Sequence, residues 1–98
     1  MSFFERIKLK IAVSRISKME KVFDELQLAF SRLNKDFLSD KKLKQKLNRL
    51  ISYYENGKWL KDYQLDEQNK LPKNLKRGIL SQDGIYDFLC EVENRGKV

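Results

Sequence analysis

The sequence predicts an all-α fold: a long antiparallel helical hairpin, a turn-rich aromatic segment, and a C-terminal helix that closes a small bundle. Apolar residues recur with heptad spacing over residues 9–37, and neither Pro nor Gly interrupts that stretch. A shorter repeat with the same spacing follows over residues 43–54. The chain of 98 residues is too short for two independent cores, so we expect a single domain over residues 1–98.

The first helix is predicted over residues 3–38. Ser2 and Glu5 have the spacing of a capping box, which favours a helix that begins at Phe3. Its apolar seam consists of Leu9, Ala12, Ile16, Met19, Phe23, Leu26, Phe30, Leu33 and Phe37.

The second helix is predicted over residues 41–55. Ser39 and Asp40 are suited to cap its start, and Asn56-Gly57 is a typical stop. A connection as short as residues 39–40 makes the two helices antiparallel neighbours.

The rest of the chain predicts shorter elements. Residues 58–63 are expected to form a further helical turn, and residues 72–77 a brief helix between Pro72 and a left-handed stop at Gly78. Ser81 is expected to cap a last helix over residues 82–94, which ends at Gly96. The apolar stripe of that helix consists of Ile85, Phe88, Leu89 and Val92.

The lengths of the two long helices do not match. A helix over residues 3–38 is about 54 Å long, so we expect the molecule to be elongated or the helix to bend. The second helix, folded back, is expected to end near Phe23 and to leave the seam between Leu9 and Met19 uncovered. Either the C-terminal helix or a second copy of the chain covers that part. The residues predicted to bind a partner are Phe3, Phe4, Ile7 and Ile11 at the exposed tip, and Leu9 and Ile16 on the seam.

Positive charge concentrates in two stretches of a chain whose net charge is +7. Residues 1–21 carry six basic side chains against two acidic ones, and residues 41–61 carry seven against one. Lysines at a helix N-terminus oppose the helix dipole, so local stability does not account for those of the second helix. The predicted anion-binding residues there are Lys41, Lys42, Lys44, Lys46 and Arg49. The alternative is internal pairing with an acidic stripe on the last helix, namely Asp83, Asp87 and Glu91.

Two further clusters have structural interpretations that we favour over functional ones. The aromatic residues Tyr53, Tyr54, Trp59 and Tyr63 suggest a base-stacking platform, but a lid on one end of the hairpin is the more ordinary arrangement. The carboxylates of Asp62, Asp66 and Glu67 lack the glycine turn of a calcium loop. We expect them to be solvated loop acids.

The composition argues against catalysis. Histidine is absent, there is one cysteine, and no phosphate-binding glycine loop occurs. We therefore expect no enzyme activity, catalytic residue, metal, cofactor or small-molecule substrate. No apolar run approaches the ~20 residues of a membrane span, and no secretory signal is present, so a cytoplasmic protein is expected.

The chain resembles a small bacterial family known only as a domain of unknown function, number 4298. The resemblance covers roughly residues 16–90 and is most specific over residues 53–89. It rests on Tyr53-Tyr54, Trp59-Leu60, Asp62-Tyr63, Asp66-Glu67, Leu71-Pro72, Leu75-Lys76-Arg77-Gly78, Leu80-Ser81, Asp83, Ile85-Tyr86-Asp87 and Leu89. It implies a cytoplasmic helical protein of Gram-positive bacteria and their phages, without an assigned activity.

The resemblance also implies structural roles for these positions. Pro72 and Gly78 shape the turn, and Arg77 pairs with Asp62, Asp66 or Asp83. The aromatic residues expected to pack the end of the hairpin are Trp59, Tyr63 and Tyr86.

The function expected from the sequence is that of a small non-catalytic interaction protein, which presents coiled-coil-like faces to a protein partner or to a second copy. The alternative is nonspecific nucleic-acid binding through the basic second helix. A membrane surface is disfavoured, because the seam that follows the N-terminal segment needs a helical partner.

Overall fold

The structure, a computed structural model, describes residues 2–95. Within this range the chain forms four α-helices and no strand: α1 (Phe3–Leu33), α2 (Lys41–Glu55), α3 (Lys58–Glu67) and α4 (Gly84–Arg95). Two 3-10 helices lie between them, at Asn34–Ser39 and Gly78–Leu80. The all-α prediction is confirmed. The predicted stop at Gly96 lies outside the described residues.

The helix α1 begins as predicted but ends five residues early. The Ser2 hydroxyl accepts a hydrogen bond from the Glu5 backbone N–H at 3.1 Å. The helix ends where Asn34 takes a positive φ of 49°, a conformation that Asn tolerates better than most residues. The 3-10 helix that follows buries Phe37 completely, with its ring edge-to-face against Phe30 at a centroid distance of 5.4 Å. Packing of Phe37 under Phe30 therefore replaces the last turn of the predicted helix.

The helix α2 has the predicted bounds, and α3 is longer than predicted. The Asp40 carboxylate caps α2 by accepting from the Leu43 N–H at 3.0 Å. Gly57, with a φ of 89°, separates α2 from α3. The helix α3 then continues beyond Tyr63 to Glu67. The extension carries Leu65 to the core and Asp66 into an ion pair with Arg77.

The segment after α3 differs from its prediction. Residues 72–77 are not helical, and Gly78 has no positive φ but starts a 3-10 helix. A Cβ atom at Gly78 would lie 3.1 Å from the Glu20 carboxylate, and this close approach favours glycine there. The helix α4 begins at Gly84, and the Asp83 carbonyl accepts its first helical bond, so Asp83 rather than Ser81 precedes it.

The three later helices all pack along α1. An ion pair between Lys46 and Glu25 places α2 antiparallel to α1. The helix α3 continues in the same direction, since Asp62 binds Arg15. The chain then folds back, and α4 lies beside the C-terminal half of α1. There the Phe88 ring packs edge-to-face on Phe23 and Phe30, at centroid distances of 5.6 and 6.0 Å.

The seam of α1 is covered within the chain from Ala12 onward. Ala12, Ile16 and Met19 are buried, although the C-terminal helix expected to cover them packs further along α1. The element that packs on α1 there is the 3-10 helix at Gly78–Leu80, and α3 is joined to α1 by the ion pair of Asp62 with Arg15. Because α1 ends early, α2 starts nearer to the N-terminus of α1 than predicted. It therefore reaches past Phe23, to the point where Tyr53 and Arg15 both donate hydrogen bonds to Asp62. The exception on the seam is Leu33, which is 39% exposed at the end of α1.

The molecule is elongated, as predicted. It measures 51 × 24 × 22 Å with a radius of gyration of 14.8 Å, against about 13 Å for a compact domain of this length. The N-terminus of α1 and the N-terminus of α2 lie at opposite ends of the long axis, because the two helices are antiparallel.

Replacing Ile16 with Ala is expected to lower the free energy of unfolding by about 2–5 kcal/mol, because the side chain is 0% exposed and its loss leaves a cavity. The matched variant is Ile11→Ala on the same helix, where the side chain is 56% exposed. We expect a change within about 0.5 kcal/mol for that control. Urea denaturation measures both, and equal losses would contradict this assignment of the buried face.

Candidate functional site

The first two and a half turns of α1 carry an apolar stripe that faces water. Its residues are Phe3, Phe4, Ile7 and Ile11, with exposed fractions of 72%, 66%, 41% and 56%. At about 100° per residue these positions fall within one arc, on the face of α1 opposite to Ala12 and Ile16. We call residues 3–11 the N-terminal arm and these four side chains the arm stripe. They are the residues predicted to bind a partner.

Basic side chains flank the arm stripe on both sides. Arg6 and Lys10 lie along one edge, and Lys8 lies along the other. The Lys8 ammonium sits 4.6 Å from the centroid of the Phe4 ring, a cation–π contact. The arm thus combines exposed apolar area with positive charge.

The two seam residues predicted as partner-binding have different positions. Ile16 is fully buried inside the chain, which corrects that prediction: it contributes to the core and not to a docking surface. Leu9 is half-buried and lines a groove between α1 and α3.

This groove has a volume of about 600 Å³. Leu9, Ala12 and Leu65 supply its apolar floor. Exposed lysines stand around it, and Ile11 joins it to the arm stripe. The lysines are Lys8, Lys61 and Lys70, and the acidic residue of the lining is Glu5.

A buried carboxylate anchors α3 beside the groove. Asp62 is 0% exposed and accepts from Arg15 Nε at 2.9 Å and from the Tyr53 hydroxyl at 2.7 Å. The hydrogen bond to Asp62 raises the pKa of Arg15 above its ordinary value. Burial, followed by the hydrogen bond to Asp62, raises the pKa of Tyr53 well above its usual value of 10.0. No buried side-chain oxygen or nitrogen of this cluster lacks a hydrogen-bond partner, so the cluster stabilises the fold.

Two of the three acidic residues expected to be solvated loop acids differ from that prediction, whereas Glu67 is exposed at the end of α3. Asp62 is buried with Arg15, and Asp66 pairs with Arg77 at 2.5 Å, one of the three pairings that the resemblance implied. Among residues 2–95, no cluster of three or more candidate ligands could hold a metal ion.

The aromatic cluster packs as a lid and not as an open platform. Trp59 stacks on Tyr63 at a centroid distance of 5.1 Å and meets the edge of Tyr54. Its indole N–H donates to the Ile79 carbonyl at 2.9 Å. Tyr86 was expected to pack with these residues, but it does not, since more than half of its surface is exposed.

The basic side chains of α2 lie at the other end of the molecule from the arm. Lys46 forms an ion pair with Glu25, which makes it less available to an external anion than the other predicted residues. The other four are exposed, and within the described range none pairs with the acidic stripe of α4. Glu91 of that stripe pairs with Arg95 instead. We call the four the basic face: Lys41, Lys42, Lys44 and Arg49.

Comparison with known proteins identifies a family. The model of a domain of unknown function, DUF4298, matches residues 16–96. The chain belongs to this family. No curated protein and no solved structure matches. The arm precedes the matched part, whereas α2, α3 and α4 lie within the DUF4298 domain.

Among residues 2–95, no helix has both the length and the apolar content needed to cross a bilayer.

Replacing Tyr53 with Phe in the DUF4298 domain is expected to lower the free energy of unfolding by about 1.5 kcal/mol at neutral pH, because Asp62 loses a hydrogen bond. This contribution is lost as the pH rises above about 10. In the unfolded chain Tyr53 then releases its proton, whereas its raised pKa retains the proton in the folded chain. Urea denaturation at pH 7 and at about pH 10.5 measures both effects. Parallel pH dependence in the variant and the parent protein would contradict the assigned role.

Proposed function

We propose that this protein is a non-catalytic helical interaction protein that binds another protein through its N-terminal arm. The observation that carries the proposal is the exposure of the arm stripe on the face of α1 that points away from the core. Contiguous exposed apolar side chains with a polar rim mark interaction sites on soluble proteins. Burial of such area stabilises a complex by roughly 25 cal/mol per Å² before the costs of association.

The chain's own packing supports this interpretation of the stripe. The elements that cover α1 pack on its opposite face, around Ala12 and Ile16, so the stripe has no part in closing the core. A side chain needed only for helix formation could be polar at these positions, since helix propensity favours Glu, Lys or Gln over Phe and Ile. Two phenylalanines and two isoleucines instead make an apolar surface.

The proposal places this activity in the cytoplasm. The single cysteine, Cys90, has no intrachain disulfide partner, which suits a reducing compartment.

A photo-reactive benzoylphenylalanine in place of Ile7 is expected to cross-link the full-length protein to one discrete partner in cells. Adding Phe4→Ser is expected to abolish that product, because it removes a large apolar contact from the same stripe. Gel mobility and mass spectrometry identify the product, and a mass of twice the chain would identify a second copy as the partner.

The matched control for this experiment is the same probe at Leu28, which is 54% exposed on α1 but far from the arm. The proposal fails if the two positions give the same cross-linked products, or if Phe4→Ser leaves the Ile7 product unchanged.

A second candidate function is nonspecific binding of nucleic acid through the basic face. It is supported by four exposed cations on α2 that have no carboxylate partner within residues 2–95. Phosphate backbones are the polyanions such a surface attracts, without base readout.

For this candidate, the affinity for a labelled DNA duplex should fall with salt, with a log–log slope of about −3 to −4 for four phosphate contacts. The double variant Lys41→Glu, Lys42→Glu should reduce the slope by about 2. Fluorescence anisotropy measures both quantities. The control is Lys8→Glu, Lys10→Glu, which makes the same charge change on the arm, and equal losses in the two variants would exclude the basic face as the site.

A further inference from the structure

The groove between α1 and α3 has the form of a site for a third helix. Its walls are the stretch of α1 from Glu5 to Arg15 and the facing residues of α3 with the turn after it, Lys61 to Lys70. Ten residues of helix rise about 15 Å, so the groove accommodates about three turns of a docked helix. Ala12 is buried, so the apolar side chains that a residue from outside can contact in the groove are the half-buried Leu9 and Leu65 and the exposed Ile11.

The charge of the groove selects the kind of helix. Lys8, Lys61 and Lys70 are exposed around it, and no ion pair within residues 2–95 involves any of these three. Arg15 also lines it, but the buried Asp62 neutralises that side chain. The acidic residue Glu5 leaves the groove with a net positive charge.

We propose that this groove binds an acidic amphipathic helix of another protein. Apolar anchors at i, i+3 or i+4, and i+7 would pack on Leu9, Leu65 and Ile11, and flanking carboxylates would pair with Lys8 and Lys61. This inference rests on the proposed function and gives the class of partner, since Ile11 makes the groove continuous with the arm stripe.

A second copy of the chain does not fit this description. Its own arm is basic and would place like charges against Lys8 and Lys61. Its acidic stripe on α4 faces water, but the apolar residues of that helix, Ile85 and Phe88, are buried in its own core. Such a helix brings carboxylates without the apolar anchors that the floor requires.

The test uses the full-length protein and three fluorescein-labelled peptides of eighteen residues. The first has Leu at helical i, i+3, i+4 and i+7 spacing with Glu at the remaining positions. The second has Lys in place of every Glu, and the third has the composition of the first with the Leu spacing scrambled. We expect the first to bind with a micromolar Kd at physiological salt, and the other two to bind at least about tenfold more weakly.

Two charge variants locate the binding. Lys8→Glu, Lys61→Glu reverses one charge on each wall of the groove and should weaken binding of the first peptide at least about tenfold. Lys41→Glu, Lys44→Glu makes the same change of charge on the basic face and should leave the affinity within about twofold. All four positions are exposed, so both variants are expected to fold, which circular dichroism checks.

Several outcomes would overturn the inference. These are absence of binding up to about 1 mM peptide, equal binding of the scrambled peptide, or equal losses in the two variants. A dimer in light scattering that Lys8→Glu, Lys61→Glu dissociates would assign the groove to a second copy instead. Flotation with anionic vesicles, lost in the same variant, would assign it to a lipid surface. If the acidic peptide fails while the Ile7 cross-link persists, the arm binds a protein of different chemistry and the proposed function stands.

Discussion

The later elements of the chain are arranged along α1, because this one helix carries an apolar face nearly as long as the molecule. A single antiparallel neighbour of 15 residues cannot cover 31 residues of helix. The chain meets this constraint with two shorter helices in series, α2 and α3, joined at the left-handed Gly57. The elongated shape follows, since the covering helices are arranged along the length of α1 and not around a common centre.

Polar contacts fix the half of the molecule where apolar packing is sparse. Near the N-terminal half of α1, the covering elements are a ten-residue helix and a three-residue 3-10 turn. Two buried carboxylates hold them in place: Asp62 binds Arg15 and Tyr53, and Glu20 accepts the Ile79 N–H at 2.7 Å. Each carboxylate has partners across elements far apart in sequence. Removal of one partner would leave a buried group unsatisfied, so these contacts select one arrangement of the chain.

The same architecture separates two surfaces of different character. The core face of α1 is occupied by the chain itself, which leaves the opposite face of the arm apolar and accessible. The antiparallel turn places the basic face of α2 at the far end of the long axis. A partner bound at the arm would therefore leave the basic face accessible, and the two surfaces can be altered independently by substitution.

The sequence by itself determined the helical class, the start of α1, the bounds of α2 and the exposure of the arm stripe. These follow from local periodicity, capping side chains and one glycine, all of which act over a few residues. The sequence of residues 53–89 also showed the family resemblance. That resemblance named Asp66 as one of three candidate partners for Arg77, and the two form an ion pair.

Only the tertiary structure decided what covers the seam and which charges are free. The replacement of the last turn of α1 depends on Phe37 reaching Phe30, and the burial of Asp62 depends on Arg15, 47 residues away. The pairing of Lys46 with Glu25 and the groove beside Leu9 likewise arise from the packing of separate helices. Local spacing carries no information about such contacts, because the free energy that fixes them comes from groups brought together only when the whole chain folds.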